Sequence, residues 1–447
     1  MQYLESLSSV IVDIVWGPFL IVLLVGGGVF LFIRSGMLPV RRIGSSLRLL
    51  TSRSLSSGET GAIHPLKALA TALSATVGMG NISGVAVAIT MGGPGALFWM
   101  WVTALAGMAT KFFTCSLSVM YRKTDQAGNT LAGPMYVIEL GLSRWFRPLA
   151  YMFAVAGLIG CLPLFQINQL AQTLSEIGSI DPWVTGVVSA LFVFAIIQGG
   201  IRWIGTAAGI IVPVMSGVYL VSVLIILSMH LDKVPFLFAQ IFQHAFTGRS
   251  ALGGATGMAL STVISNGVKR AAFSNEAGIG TAPMAHGQAR NASPIREGLI
   301  AMLGPLIDTI LVCSATGLAI LATGAFTHNM EGISITLMAF ETALGPAGRT
   351  LLAVIIVMFA VSTMLGYSHY SKMCFLYLTG NRAASLHMVL FVLLIVGGAV
   401  WSMGLVINTL DIAFGLMAVP TVISTLLLHR EVLQKAKEYF RNESPRT

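Results

Sequence analysis

Ser74-Ala75-Thr76-Val77-Gly78-Met79-Gly80-Asn81 lies inside an apolar run long enough to cross a bilayer, and Gly78 and Gly80 interrupt that run. A stretch of the same kind, Phe273-Ser274-Asn275-Glu276-Ala277-Gly278-Ile279-Gly280, occupies the other half of the chain. Glycine opens backbone conformations that other residues resist, while Asn, Ser and Glu polarise a segment that hydrocarbon should surround. Unpaired backbone cannot face lipid, so irregular backbone at that depth is shielded by protein or lines a cavity. Interruptions at matching places in the two halves of a polytopic protein point to the binding site of a secondary transporter.

Around these stretches the chain is 55% hydrophobic and 10% charged, with a mean hydropathy of +0.83. Soluble domains carry about 25% charged residues, so composition places this chain in a membrane. Apolar stretches of spanning length fall at about 11–33, 65–91, 95–120, 148–177, 184–200, 206–230, 252–286, 297–322, 348–369, 386–403 and 405–428, eleven in all. The stretch 252–286 is the least apolar, with Asn266, Lys269, Arg270 and Glu276 inside it. A span that faces protein tolerates such residues. The run 11–33 has no preceding basic region or cleavage site and is too long for a signal-peptide core, so it reads as a retained span. The net charge of +9 does not indicate nucleic acid, because the basic residues sit in short loops between apolar runs. Cys115, Cys161, Cys313 and Cys374 show neither disulfide nor metal spacing and read as buried thiols.

Lysine and arginine gather on one side of this layout. Arg34, Arg41, Arg42, Arg48 and Arg53 lie in one loop, and Arg122, Lys123, Arg144 and Arg147 in another. Arg202, then Arg290 and Arg296, then Lys372 and Arg382 follow on the same side, and Arg430, Lys435, Lys437, Arg441 and Arg446 in the tail. The opposite loops hold little beyond Lys233, Arg249 and Arg349. This asymmetry puts the N-terminus outside and the C-terminus in the cytoplasm of a plasma (bacterial inner) membrane, in agreement with an odd number of spans. Setting the first span aside leaves two sets of five, at 65–230 and 252–428, followed by a tail at 429–447, all within one transmembrane domain. The punctured spans are the first members of the two sets, about 190 residues apart, and an odd repeat must be inverted. The expected fold is therefore an all-α polytopic membrane protein of eleven helices: a 5+5 inverted repeat, one extra N-terminal helix and two discontinuous helices. Gly133 to Leu140 and Val234 to Phe246 read as interfacial stretches that pack or gate.

If the first break unwinds, the N–H groups of Met79, Gly80 and Asn81 open a second half-helix, and a helix N-terminus suits an anion such as a carboxylate. Carbonyls near Ser74, Thr76 and Val77 then end the first half and suit a small hard cation such as Na⁺. The plainer alternative is that Gly78 and Gly80 only permit close helix packing. At the second break, Ser274 and Asn275 favour caps over helix interiors. Glu276 either neutralises a cation or holds the broken backbone through hydrogen bonds, with Lys269 and Arg270 as partners within reach along the chain. Gln166, Asn168 and Gln169 polarise the fourth span; Ser362 and Thr363, ahead of Gly366, Tyr367 and Ser368, polarise the ninth. Such hydroxyls commonly bond their own helix. As third members of each repeat, however, these spans should flank the breaks, where hydroxyls would complete an oxygen shell for Na⁺. Asp308 and Lys111 are intramembrane charges with no assigned role, Asp411 near an outer end is expected to be solvated, and His286 reads as an interface residue.

Thr71 to Ala86, Gly92-Gly93-Pro94-Gly95-Ala96-Leu97-Phe98-Trp99-Met100-Trp101, Gly133-Pro134-Met135-Tyr136 and Phe273 to Pro283 together resemble the alanine or glycine:cation symporter family. The resemblance covers essentially the whole chain. It implies the leucine-transporter (LeuT) fold and uptake of small neutral amino acids, alanine or glycine first with D-alanine or serine as further candidates, by Na⁺-coupled alternating access. Na⁺ is then the co-transported ion and no organic cofactor is implied. It further implies that main-chain amides at Met79 and Gly80, beside Asn81, hold the substrate carboxylate. The carbonyls of Ser74, Val77 and Phe359, with the hydroxyls of Ser362 and Thr363, match the Na⁺ site of that fold. Phe273 and Ser274, with Asn275, match the meeting of the second broken helix with the amine and side chain; Gln166, Thr363 and Tyr367 complete the pocket. The chain departs from the family pattern at Met79, where a small hydroxyl residue is usual, at Tyr367, where Trp is common, and at Lys372, where an acidic residue is usual.

Other classes fare worse. No Gly-x-Ser-x-Gly, phosphate-binding loop or metal-spaced His/Cys cluster supports an enzyme. A passive channel, an H⁺-coupled or glutamine-type symporter of the same fold, and a transporter-like amino-acid sensor are the remaining alternatives; accumulation against a gradient, coupling-ion dependence and binding without transport separate them.

Overall fold

The computed structural model describes residues 2–51, 62–125, 128–247, 260–290, 293–328, 330, 332–380 and 384–443. Arg53, Arg249, Arg382 and Arg446, and residues 252–259 of the seventh expected span, lie outside them. Of the described residues 86% are helical, and the one sheet among them is the hairpin that pairs Lys123–Thr124 with Thr130–Leu131.

Among the described residues, six helices are long and apolar enough to cross a membrane: Gly95–Met120, Arg144–Gly178, Gly200–Ser228, Pro294–Thr323, Ile333–Thr379 and Met403–Asn442. Two bent pairs raise the number to eight: Leu4–Val15 with Pro18–Arg34, bent by 49°, and Pro65–Thr76 with Gly80–Gly92, bent by 50°. Pro182–Ile197 and Ser385–Val400 are apolar but shorter. The helix Leu260–Asn275 carries Asn266, Lys269 and Arg270, and only Ala282–His286 continues it after the break. Length and hydropathy alone therefore do not deliver eleven uniform spans among the described residues: two are bent pairs, two are short, and the one through Leu260–Asn275 is polar and broken.

Local chemistry sets these boundaries. Pro65 opens its helix at the position where a missing N–H costs nothing, and the preceding His64 accepts the Leu66 N–H at 3.2 Å. Asp181 ahead of Pro182 accepts the Trp183 N–H at 2.8 Å. Gly345, at φ 68° and followed by Pro346, bends Ile333–Thr379 before the segment that reaches the site. The last helix does not stop at 428. It runs from Met403 to Glu443, with Val432 and Ala436 buried and Tyr121 Oη donating to Glu431 at 2.5 Å.

Lipid supplies no hydrophobic drive between helices, so small residues bring them together. A methyl added at Gly107 would sit 2.6 Å from Ala277 Cβ, and one added at Gly267 would sit 2.6 Å from Trp99 Cβ. These contacts press the helix Gly95–Met120 against the second broken helix. The extra N-terminal helix lies along the last one, where Trp16 Nε1 donates to the Asp411 carbonyl at 2.8 Å. The residue ahead of the first broken helix and a residue just after the second form a parallel bridge, Ile63 with Ala289, so the two broken helices are tied at one end.

Candidate functional site

The two breaks meet. A Cβ on Gly80 would lie 3.3 Å from the Phe273 ring and 3.3 Å from Ser274 Cα. Around the first, Pro65–Thr76 ends at Val77, whose ψ of 91° is extended, and a π-turn Gly80–Gly84 leads into Val85–Gly92. The Val77 N–H still donates to Leu73 O at 2.7 Å, so the carbonyls of Ser74 to Val77 are the ones a following turn no longer takes. Met79 and Gly80 open the next segment, where no preceding turn supplies a carbonyl. Asn81 is committed to the break itself. Its Oδ1 accepts the Gly78 N–H at 2.8 Å, its own N–H donates to Gly78 O at 3.1 Å, and its Nδ2 donates to Asp308 Oδ1 at 2.6 Å.

The second break is built from alternating left-handed residues: Glu276 at φ 53°, Gly278 at φ 87° and Gly280 at φ 102°. Glycine adopts this region freely, whereas Glu276 is strained there and needs its surroundings to hold it. Its carboxylate accepts hydrogen bonds from Thr281 Oγ1 and, at 2.5 Å, from Tyr367 Oη. Lys269 and Arg270 do not pair with Glu276 but turn outward to Asp411 Oδ2, at 2.8 and 2.6 Å. Asp411, expected to be solvated, is 1% exposed. Asn275 spends both ends of its amide on the break: Nδ2 donates to Thr309 Oγ1 at 2.9 Å and Oδ1 accepts the Ala277 N–H at 2.9 Å.

Asp308 joins the two breaks. From the π-helical stretch Leu306–Cys313 it accepts from Asn81 Nδ2 on one oxygen and from Ser274 Oγ and Thr309 Oγ1, both at 2.8 Å, on the other. Sequence reasoning assigned it no role. The available signal was a lone carboxylate in an apolar span, since such a charge must be paired or hydrogen-bonded. Lys111 is buried on the facing helix, where its charge bears on both Glu276 and Asp308. His286, expected at an interface, is instead 1% exposed with Nδ1 2.6 Å from Glu297 Oε1.

Several buried oxygens have no protein partner, among them Ser362 Oγ, Thr363 Oγ1 and Gln166 Oε1 beside the first break, with Tyr370 Oη and Asp411 Oδ1 farther along. A Cβ on Gly78 would overlap Thr363 Oγ1, and one on Gly366 would sit 3.0 Å from Ser74 Oγ. The segment 362–366 therefore packs directly on the first break at Ser74 and Gly78. Phe359 lies one turn earlier in the same helix and is fully buried against Tyr219. Phe165 meets Phe273 edge-on and Phe414 meets it at a tilt, with centroids 5.1 and 5.6 Å away, which walls the junction with aromatic rings. Ser83 donates to Gln169 Oε1 at 2.6 Å, whereas Asn168 turns away to the Trp401 carbonyl at 2.7 Å. The four cysteines are buried and free.

Two discontinuous helices that meet at a junction buried among membrane-spanning helices mark a secondary transporter, and likeness in sequence and fold sets the chain among LeuT-fold transporters rather than enzymes. A structure of MhsT in complex with L-phenylalanine matches with a TM-score of 0.61 over 83% of this chain and 90% of that one, at 14% identity. An Eremococcus coleocola manganese transporter matches with a TM-score of 0.54 over 84% and 83%, at 13% identity. These likenesses concern the fold alone. The sequence pattern of the sodium:alanine symporter family matches residues 1–446, and the chain belongs to that family of multi-pass membrane amino-acid symporters. A sodium/alanine symporter of Methanococcus maripaludis is 41% identical over 97% of each chain. An uncharacterized transporter of Haemophilus influenzae is 40% identical over 98% of this chain and 96% of its own.

Proposed function

We propose that this chain imports small neutral amino acids, alanine and glycine first, by coupling their entry to Na⁺ through alternating access. The observation that carries the reading is the pair of buried, unpartnered hydroxyls Ser362 Oγ and Thr363 Oγ1 against the open end of the first half-helix. A buried hydroxyl left unpaired costs about 1–3 kcal/mol, and a transported hard cation with oxygen ligands offsets that cost. On this reading the carbonyls of Ser74, Val77 and Phe359 and the hydroxyls of Ser362 and Thr363 surround Na⁺. The N–H groups of Met79 and Gly80, at the start of the second segment, take the carboxylate, and Asn81 keeps them aimed. Phe273, Ser274 and Asn275 bound the amine and side chain, Gln166 Oε1 offers an acceptor, and Tyr367 contributes its ring, since its hydroxyl is spent on Glu276. The name of the Methanococcus relative, a sodium/alanine symporter, supports this choice of cargo.

The proposed architecture has eleven spans: the six long helices, the two bent pairs, the two shorter apolar helices and the polar broken helix through Leu260–Asn275 and Ala282–His286. It comprises an extra N-terminal helix (11–33), two inverted five-helix repeats (65–230 and 252–428) and a cytoplasmic tail (429–447) in one domain. The N-terminus lies outside and the C-terminus inside a bacterial inner membrane, as the Lys and Arg distribution supports. The test is uptake of labelled alanine and glycine into proteoliposomes with and without an inward Na⁺ gradient, followed by competition with glutamine and D-alanine. Accumulation that needs the gradient is expected; uptake indifferent to Na⁺ would end this reading.

A further inference from the structure

A cavity of about 1050 Å³ lies away from the junction, beside the 123–131 hairpin, the turn at 197–204, the Ala289 bridge and residues 368–376. Four cationic side chains line it, Arg122, Arg202, Arg290 and Lys372, with the imidazoles of His369 and His387, and no carboxylate does so among the described residues. Arg122 is anchored, its Nη1 donating to Ala289 O at 2.7 Å. Arg202, Arg290 and Lys372 form no ion pair among the described residues. Lys372 is half-buried, and its charge bears on both imidazoles. The positive-inside bias accounts for basic residues at this end of the molecule, but not for the convergence of Arg202, Arg290 and Lys372 on one concavity whose wall carries no carboxylate among the described residues. Low-dielectric walls focus the field of charges placed in this way.

We propose that this cavity binds a small, multiply charged phosphate-type oxyanion. Guanidinium forks match tetrahedral oxyanions in geometry as well as charge. A zwitterionic amino acid is a poorer fit, since its ammonium would face the same cations. Ser368 and His369, at the cavity wall, directly follow Tyr367, which holds the second break through Glu276. An anion seated here occupies the approach to the junction from the basic side and slows exchange there. That consequence rests on the transport reading above; the binding does not.

The experiment uses the full-length protein in phosphatidylcholine nanodiscs and titrates inorganic pyrophosphate by calorimetry, with chloride at matched ionic strength as the control. Saturable pyrophosphate binding is expected that chloride does not displace, weakened about tenfold or more in Lys372→Gln and in Arg290→Gln, variants whose thermal unfolding should match the parent. Adding phosphatidylglycerol to the discs separates two sources of the same chemistry: loss of pyrophosphate binding identifies a lipid headgroup as the natural occupant, and unchanged binding a soluble phosphate compound. In proteoliposomes, pyrophosphate should slow alanine flux from one face only. Absent saturable binding, binding indifferent to both substitutions, or equal inhibition from both faces overturns the site. Intact binding in a protein that shows no Na⁺-driven uptake would instead overturn the transport reading and leave the site standing.

Discussion

Replacing Gly78 with Ala probes the contact on which the proposed cation site depends. Gly78 is not among the residues of positive φ, so its backbone accepts a side chain, and the cost arises from one collision. The new methyl would overlap Thr363 Oγ1 and sit 3.4 Å from Thr363 Cβ. Overpacking of this kind costs about 1–3 kcal/mol. Thr363→Ala removes the atom in the way. It abandons no protein hydrogen bond, because Thr363 Oγ1 has none, so its own stability cost is limited to lost packing of about 1 kcal/mol. The double variant should therefore recover most of the Gly78→Ala penalty, a coupling of about 1–3 kcal/mol between residues far apart in sequence. Equilibrium unfolding in mixed detergent micelles measures this cycle. Transport separates the second role of the same oxygen. Losing a contact to a charged group is worth about 1.5–3 kcal/mol, so Thr363→Ala should raise the Na⁺ concentration for half-maximal uptake roughly 10- to 100-fold. Thr363→Val, which keeps the bulk, should do the same, whereas Thr363→Ser should not. Additive stabilities would refute the packing argument, and a Val variant with unchanged Na⁺ dependence would refute the ligand.

Three further outcomes follow from the same geometry. Gln166→Ala should weaken amino-acid affinity by about tenfold with little change in Na⁺ dependence, because its free Oε1 is the loss; a competition panel reads both. Asp308→Asn retains the bond to Asn81 but gives up one carboxylate oxygen facing Ser274 and Thr309, so stability should fall by about 1–3 kcal/mol and the apparent affinities for cation and amino acid should weaken together. Tyr367→Phe strips Glu276 of one donor at the strained position and should destabilise the fold by a similar amount, whereas a Glu276→Gln partner in the same background should cost less than it does alone, as a double-mutant cycle of unfolding would show.

The breaks were legible in the sequence because their signal is local. Glycine within an apolar run, with Asn or Ser beside it, contradicts a lipid-facing helix whatever the rest of the chain does. The hydroxyls at 362 and 363 were legible for the same reason. What could not be read was pairing over distance. Asp308 finds its donors 227 residues away at Asn81 and 34 away at Ser274, and no periodicity predicts which buried donors a carboxylate will meet. Asp411 sits near a span's end, where solvation is the natural expectation, yet Arg270, 141 residues distant, reaches it inside the protein. Glu276 was matched to Lys269 and Arg270 by nearness along the chain. Six residues of helix carry those side chains about 9 Å toward the other end, and the left-handed turn at Glu276 sends its carboxylate to Thr281 and Tyr367 instead. Hydropathy alone ranks the second broken helix lowest for a related reason: the polar residues inside it also lower its apparent fitness for lipid.

The polar groups at the junction divide into two sets, and the division bears on how such a site works. Asn81, Asn275, Ser274, Glu276 and Tyr367 spend their hydrogen bonds on the broken backbone and on each other, so the breaks are held open by the chain's own side chains. Ser362, Thr363 and Gln166 instead present buried oxygens with no protein partner. A ligand at this junction therefore need not provide the energy to unwind either helix. Its binding free energy remains available to discriminate between two arrangements of helices that are already broken, which is the only way a ligand can shift a conformational equilibrium. Both breaks hang on one carboxylate, Asp308, so the first broken helix should not move relative to the second without parting Asn81 or Ser274 from it. The helix that bears Ser362 and Thr363 is tied to this pair as well, through Tyr367 Oη and Glu276, so a motion of the joined pair against it must part that bond. If Na⁺ sits between Ser74, Val77 and the two hydroxyls as proposed, it bridges the first broken helix and that neighbouring helix, and its departure would loosen the contact between them.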